Sequence, residues 1–118
     1  MPQIFNKTRN TLIASDVHVA NSFAARMTGL LNKTSISAQE ALIIPHCQSI
    51  HMFFMRFPID VIFVDKKDVV VGLVKNIQPF QLSPIFFSAS YAIELAAGNI
   101  ERTKTTLGDS LSIKKTGF

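Results

Sequence analysis

Across His46-Cys47-Gln48-Ser49-Ile50-His51-Met52-Phe53-Phe54-Met55-Arg56-Phe57-Pro58-Ile59-Asp60 the sequence sets two imidazoles, a thiol, a guanidinium and a carboxylate among large apolar side chains. Depending on which of them meet, such groups supply a nucleophile, a general base or a ligand-binding cluster. In an extended segment Cys47, Ser49, His51, Phe53 and Met55 share one face, while His46, Gln48, Ile50, Met52, Phe54 and Arg56 share the other. Cys47 and His51 thus have the relation of a thiol and its activating base, but four strand residues hold their Cα atoms roughly 13 Å apart. Direct pairing needs a bulge or a second segment; the plainer reading of Cys47 is a buried, inert thiol.

His51 and Asp60 make the stronger pair, since a carboxylate orients an imidazole and keeps it basic in catalytic and binding sites alike. The same pair also serves as a satisfied core hydrogen bond. Pro58 disfavours helix at Phe57 and leads into the apolar run Ile59 to Val64, so Asp60 begins a strand buried on both faces. An acid in that position needs backbone amides, His51 or an arginine, and Arg26 and Arg56 are the available cations. Arg26 is either an anchor for an anionic ligand or the polar edge of a helix tied to Asp60 or Glu94. Glu94 alternates within Tyr91-Ala92-Ile93-Glu94-Leu95 and is expected to be partly buried. The catalytic candidates are therefore His51, Asp60 and Cys47, and the ligand-binding candidates Arg26, His51, Arg56, Asp60 and Glu94. No repeated Cys or His spacing and no phosphate-loop glycine pattern occurs, so neither a metal nor a cofactor is expected.

These groups must be positioned by a strand-rich framework. Ile4-Phe5 and Leu12-Ile13 flank a polar stretch and read as a hairpin, which Val17 and Val19 extend. Asn21 to Leu31 carries a capping residue and the stripe Phe23, Met27, Leu30 and Leu31, which predicts a helix ending or bending at Gly29. Ala41 to Ile44, Gln48 to Met55, Ile59 to Val64, Val69 to Ile77, Tyr91 to Leu95 and Ser110 to Ile113 read as strands. Asp65-Lys66-Lys67-Asp68 is short enough to close an antiparallel hairpin. One helix among at least six strands predicts a mainly β fold, α+β by content: an antiparallel sandwich or partly closed barrel, residues 1–118 forming one domain.

Composition narrows the function classes. The chain has 118 residues, of which 47% are hydrophobic and 17% charged, which excludes disorder and predicts one core. The net charge of +4 is scattered rather than gathered on a patch, and the ten Phe residues lack the basic neighbours of a base-stacking platform, so nucleic acid is not an expected partner. Apolar runs fall far short of the ~20 residues that cross a bilayer, so no membrane association is expected. The first residues lack a signal-peptide pattern, and Cys47 is the only cysteine; both suit a cytoplasmic location.

Arg26-Met27-Thr28-Gly29-Leu30-Leu31, Cys47-Gln48-Ser49-Ile50-His51 and Met55-Arg56-Phe57-Pro58-Ile59-Asp60-Val61-Ile62-Phe63-Val64-Asp65, followed by Glu94-Leu95-Ala96-Ala97-Gly98 and Gly108-Asp109, resemble the bacterial and archaeal domain-of-unknown-function family 192. The likeness covers roughly residues 17 to 113. It implies a β-domain of jelly-roll-like topology with one helix, and no established activity, substrate or cofactor. Met52 and Phe54 are bulkier than the residues often found at those places in relatives. Three functions are weighed: a domain binding a small ligand or a protein at His51, Asp60, Arg56 and Arg26; a hydrolase or transferase using His51 as base, oriented by Asp60; and an assembly module marked by an apolar patch at Phe80, Phe86 and Phe87.

Overall fold

Ile59–Val64 has β-branched or aromatic residues at every position except Asp60, and in the computed structural model, which describes residues 2–20, 34–53 and 55–114, it is a strand buried along its whole length. Among the described residues there are eight strands: β1 (Gln3–Asn6), β2 (Thr11–Ala14), β3 (Asp16–Val19), β4 (Glu40–Pro45), β5 (Ile59–Val64), β6 (Val70–Ile77), β7 (Tyr91–Ala96) and β8 (Leu111–Lys114). A five-stranded sheet runs in the order β3-β4-β7-β5-β6 and a three-stranded sheet in the order β2-β1-β8. All pairings are antiparallel except that of β3 with β4. The two sheets pair only at an isolated bridge between Val69 and Ser110 among the described residues, so the molecule is an open sandwich rather than a closed barrel.

Alternation along the central strands splits the interior into two cores. Ile62 and Val64 of β5, Ile93 and Leu95 of β7, and Ala41 and Ile43 of β4 meet Ile4, Ile13 and Leu111 of the three-stranded sheet. On the opposite face Leu42, Val61, Phe63 and Ala92 meet Ile50, Met52, Met55 and Phe57, which belong to no strand. One face of the large sheet is therefore covered by a second sheet and the other by irregular chain.

The two expected hairpins form as read. β1 pairs with β2, and β5 with β6 across a turn in which the Asp65 carboxylate accepts the Lys67 and Val69 N–H groups at 2.8 and 3.0 Å. Val17 and Val19 lie in β3, which joins the large sheet rather than extending the first hairpin. Among the described residues of the predicted strand Gln48 to Met55 there is instead an irregular ribbon with a single bridge, His51 to Leu82. Its partner segment contains Pro79 and Pro84, which have no N–H to donate, and Phe80 at φ 68°, which interrupts the pleat. A five-residue helix, α1 (Asn99–Thr103), follows Gly98 at φ 97°; the predicted helix 21–31 lies outside the described residues.

Candidate functional site

Asp60 is 1% exposed and its carboxylate is fully engaged by main chain. Oδ1 accepts the Asn76 N–H at 2.8 Å, and Oδ2 accepts those of Gly98 and Ile100 at 3.1 and 2.9 Å. The register of β5 against β6 slips opposite Asp60, where Ile59 pairs with Ile77 but Val61 pairs with Val74. That bulge, with Asn76 at φ 53°, releases an amide that the carboxylate captures. The same side chain then holds the start of α1 against β5. Of the partners expected for this acid, backbone amides are the ones it has.

Register also decides which side of the sheet each acid serves. Asp60 is paired with Leu95 and alternates with Ile62 and Val64, so it belongs to the face covered by the three-stranded sheet. Glu94 is paired with Leu42 and Val61, residues of the other core, and is fully buried. His51 sits between Ile50 and Met52, both buried in that second core, so the sheet separates it from Asp60. The catalytic pairing of His51 with Asp60 is therefore not formed. Glu94 is the buried acid on the side of the sheet that the His51 segment covers.

His51 is half-buried, its ring stacked on Phe53 at a centroid distance of 4.9 Å and its Nδ1 accepting the Phe53 N–H at 3.4 Å. The Cys47 Sγ donates to the Ser49 carbonyl at 3.1 Å. Arg56 is exposed, Met52 is wholly buried and fills the core rather than lining an opening, and Arg26 and Phe54 lie outside the described residues. Among the described residues no three His, Cys, Asp or Glu side chains converge as a metal set, and no helix is long and apolar enough to cross a membrane.

The covering ribbon is held by main-chain bonds: Met52 N–H to Gln81 O, Phe80 N–H to Met52 O, Ser83 N–H to Ile50 O and Phe86 N–H to Gln48 O, all between 2.8 and 3.0 Å. The Phe86 ring turns inward onto Phe63, with a centroid distance of 4.6 Å, and lies over Gly72 so closely that a Cβ there would stand 2.5 Å from it. Its neighbours turn outward. Phe80, Leu82, Ile85 and Phe87 are 63%, 67%, 57% and 80% exposed. Phe80 and Phe87 bear out the expected patch and Phe86 does not; Leu82 and Ile85 were missed, because a connection fixed by Pro79 and Pro84 has no periodicity from which to assign a face.

Two titratable groups depart from their ordinary values. Burial pushes the Tyr91 hydroxyl well above the usual tyrosine range, reinforced by its 2.7 Å bond to Asp68 and by the charges of Asp68 and Asp65. For Asp109, burial raises the pKa, but the hydrogen bonds from the Asn6 side chain, the Thr106 N–H and the Arg9 guanidinium, with the charge of Arg9, outweigh it and leave the carboxyl below the usual value.

Residues 4–113 match the model of domain-of-unknown-function family 192, described as Uncharacterized ACR, COG1430. A UPF0127 protein of Thermococcus sibiricus is 33% identical over 92% of this chain and 72% of its own length. The UPF0127 protein PH1112 of Pyrococcus horikoshii is also 33% identical, over 92% of this chain and 96% of its own. The fold is shared with a solved chain named as a candidate transcription regulator, from Sinorhizobium meliloti 1021, at TM-score 0.79 and 17% identity, covering 95% of this chain and 91% of that one. Match length, sequence identity and fold agree, and the chain belongs to domain-of-unknown-function family 192, a family of uncharacterised function.

Proposed function

We propose that this protein is a cytoplasmic binding module that grips another protein through the ribbon of residues 48–53 and 80–87. The observation that carries this reading is Phe80. A left-handed backbone costs a bulky L-residue about 1–2 kcal/mol, and the residue held in it, its N–H bonded to the Met52 carbonyl, is 63% exposed rather than buried in the core. Leu82, Ile85 and Phe87 accompany it on the same short segment, and exposed apolar groups concentrated in this way mark interaction surfaces. Arg56, exposed beside the ribbon in sequence, supplies the charge. Neither residues 46–58 nor residues 76–90 contain an Asp or Glu, so the surface suits an apolar segment flanked by acidic residues.

Panning a displayed-peptide library on the intact protein tests this. Enriched peptides should carry aromatic or aliphatic anchors beside Asp or Glu and should lose binding to the folded double variant Leu82→Asp/Phe87→Asp. A library that yields no enrichment, or peptides that bind the double variant equally well, would refute the reading.

A further inference from the structure

A pocket lies at the mouth of the sandwich, on the side of the core between the two sheets, with only its His46 and Ser90 corner next to the ends of the ribbon. Side-chain rows that form this core continue past its closed part and end at the pocket, which measures about 420 Å³. Val19 pairs with Ile43 and Pro45 pairs with Tyr91, each pair adjoining the buried row of the large sheet. Ile113 faces them from β8, where its register partner Ile4 is wholly buried. Val19 alternates with the buried Val17 yet is 47% exposed. Among the described residues these are core positions without core on their open side, and protein interiors are otherwise packed to near-crystalline density.

The polar groups of the pocket gather at one corner. His46 and Ser90 are joined there by a 2.8 Å bond from the His46 N–H to the Ser90 carbonyl, which pins a turn with His46 at φ 54°. Among the described residues neither the His46 ring nor the Ser90 hydroxyl makes a hydrogen bond of its own, whereas the Tyr91 hydroxyl is taken by Asp68 and leaves its ring as apolar wall. No carboxylate lines the pocket. An apolar cavity of a few hundred Å³ with a small convergent polar set is the usual form of a small-molecule site.

We propose that this mouth binds a small amphiphile, an apolar body between Val19, Ile43 and Ile113 with one hydrogen-bonding head at His46 and Ser90. The site is independent of the ribbon and stands or falls separately from it. The test is a two-dimensional amide NMR titration of the full chain with 1-octanol, octanoate and octyltrimethylammonium, which share a body and differ in head. Saturable shifts should centre on Val19, Ile43, His46 and Ile113 with octanol or octanoate, the better of the two showing whether the head is neutral or anionic. The cationic probe, unable to accept or donate a hydrogen bond, should bind several-fold more weakly. Val19→Trp, a change at an exposed position, should fill the pocket and abolish saturation; His46→Ala should weaken binding about fivefold; Leu82→Asp/Phe87→Asp should leave it unchanged. Shifts that never saturate, that centre on the ribbon, that survive Val19→Trp or that are indifferent to the head would overturn the proposal, as would dimerisation through the mouth, seen by sedimentation without probe.

Discussion

The two faces of the five-stranded sheet are built on different terms. On one, a second sheet supplies regular pairing, and the acids Asp60 and Asp109 are consumed in joining strands, bulge, helix and turn. On the other, an irregular ribbon supplies cover, Met52 and Phe86 reach inward, and Phe53, Phe80, Leu82, Ile85 and Phe87 face outward. A buried carboxylate with every oxygen bonded to main chain is a device of construction. The exposed side chains of Leu82, Ile85 and Phe87 close no core, even though the main chain of the same segment holds the ribbon in place, and that contrast points to the ribbon for function.

The largest effect should follow from breaking the regular face. Asp60→Ala leaves the Asn76, Gly98 and Ile100 amides without their acceptor, the last fully buried and the first two partly so. Each orphaned donor costs about 1–3 kcal/mol, and since such costs are not additive the total should be roughly 3–5 kcal/mol, measured by urea denaturation. If Asp60 were instead a functional acid tolerated by the fold, the variant would lose less than about 1 kcal/mol.

The junction between ribbon and sheet should come next. Gly72→Ala drives a methyl into the Phe86 ring, and overpacking of this kind costs about 1–3 kcal/mol. Loss of the contact between Phe86 and Phe63 should also loosen residues 80–87, visible as faster amide exchange there than in β5.

How much of this was legible in sequence follows the same division. Ile59–Val64 and Tyr91–Ala96 announce themselves because buried strands are written locally, in consecutive β-branched and apolar residues. The alternation around Glu94 likewise places it opposite Ile93 and with Ala92. The mistaken pairing of His51 with Asp60 arises at Pro58: the chain turns there, and no local pattern states on which side of the sheet the preceding residues will lie. Gln48 to Met55 alternates well enough for a strand, but its irregularity is imposed by the prolines and the left-handed Phe80 of a partner some thirty positions away. α1, at five residues, is shorter than the periodicity that would reveal it.

Acid should expose the regular face's dependence on charge. Because the folded protein holds Asp109 below its ordinary pKa, the ionised form favours folding. That contribution is complete above the unfolded value of about 3.9 and is lost as the pH falls through the folded one. Asp109→Asn should cost about 1–2 kcal/mol at neutral pH and flatten the acid limb of the stability curve measured by chemical denaturation. An unchanged acid limb would mean that the contacts with Asn6, Arg9 and Thr106 carry no net ionic preference.

The smallest effect on folding should come from the side chains argued to matter most for binding. Leu82→Ser/Phe87→Ser removes two exposed groups whose neighbours Ile50, Met52 and Phe86 keep the ribbon anchored, so stability should change by no more than about 0.5 kcal/mol. The main-chain bonds from Phe80, Ser83 and Phe86 do not involve the replaced side chains. If the pair instead costs as much as Gly72→Ala, these residues are part of the core after all and the distinction between the two faces fails. If stability holds while peptide binding is lost, folding and recognition are carried by separate side chains of one ribbon, the inward set fixing its path and the outward set left for the partner.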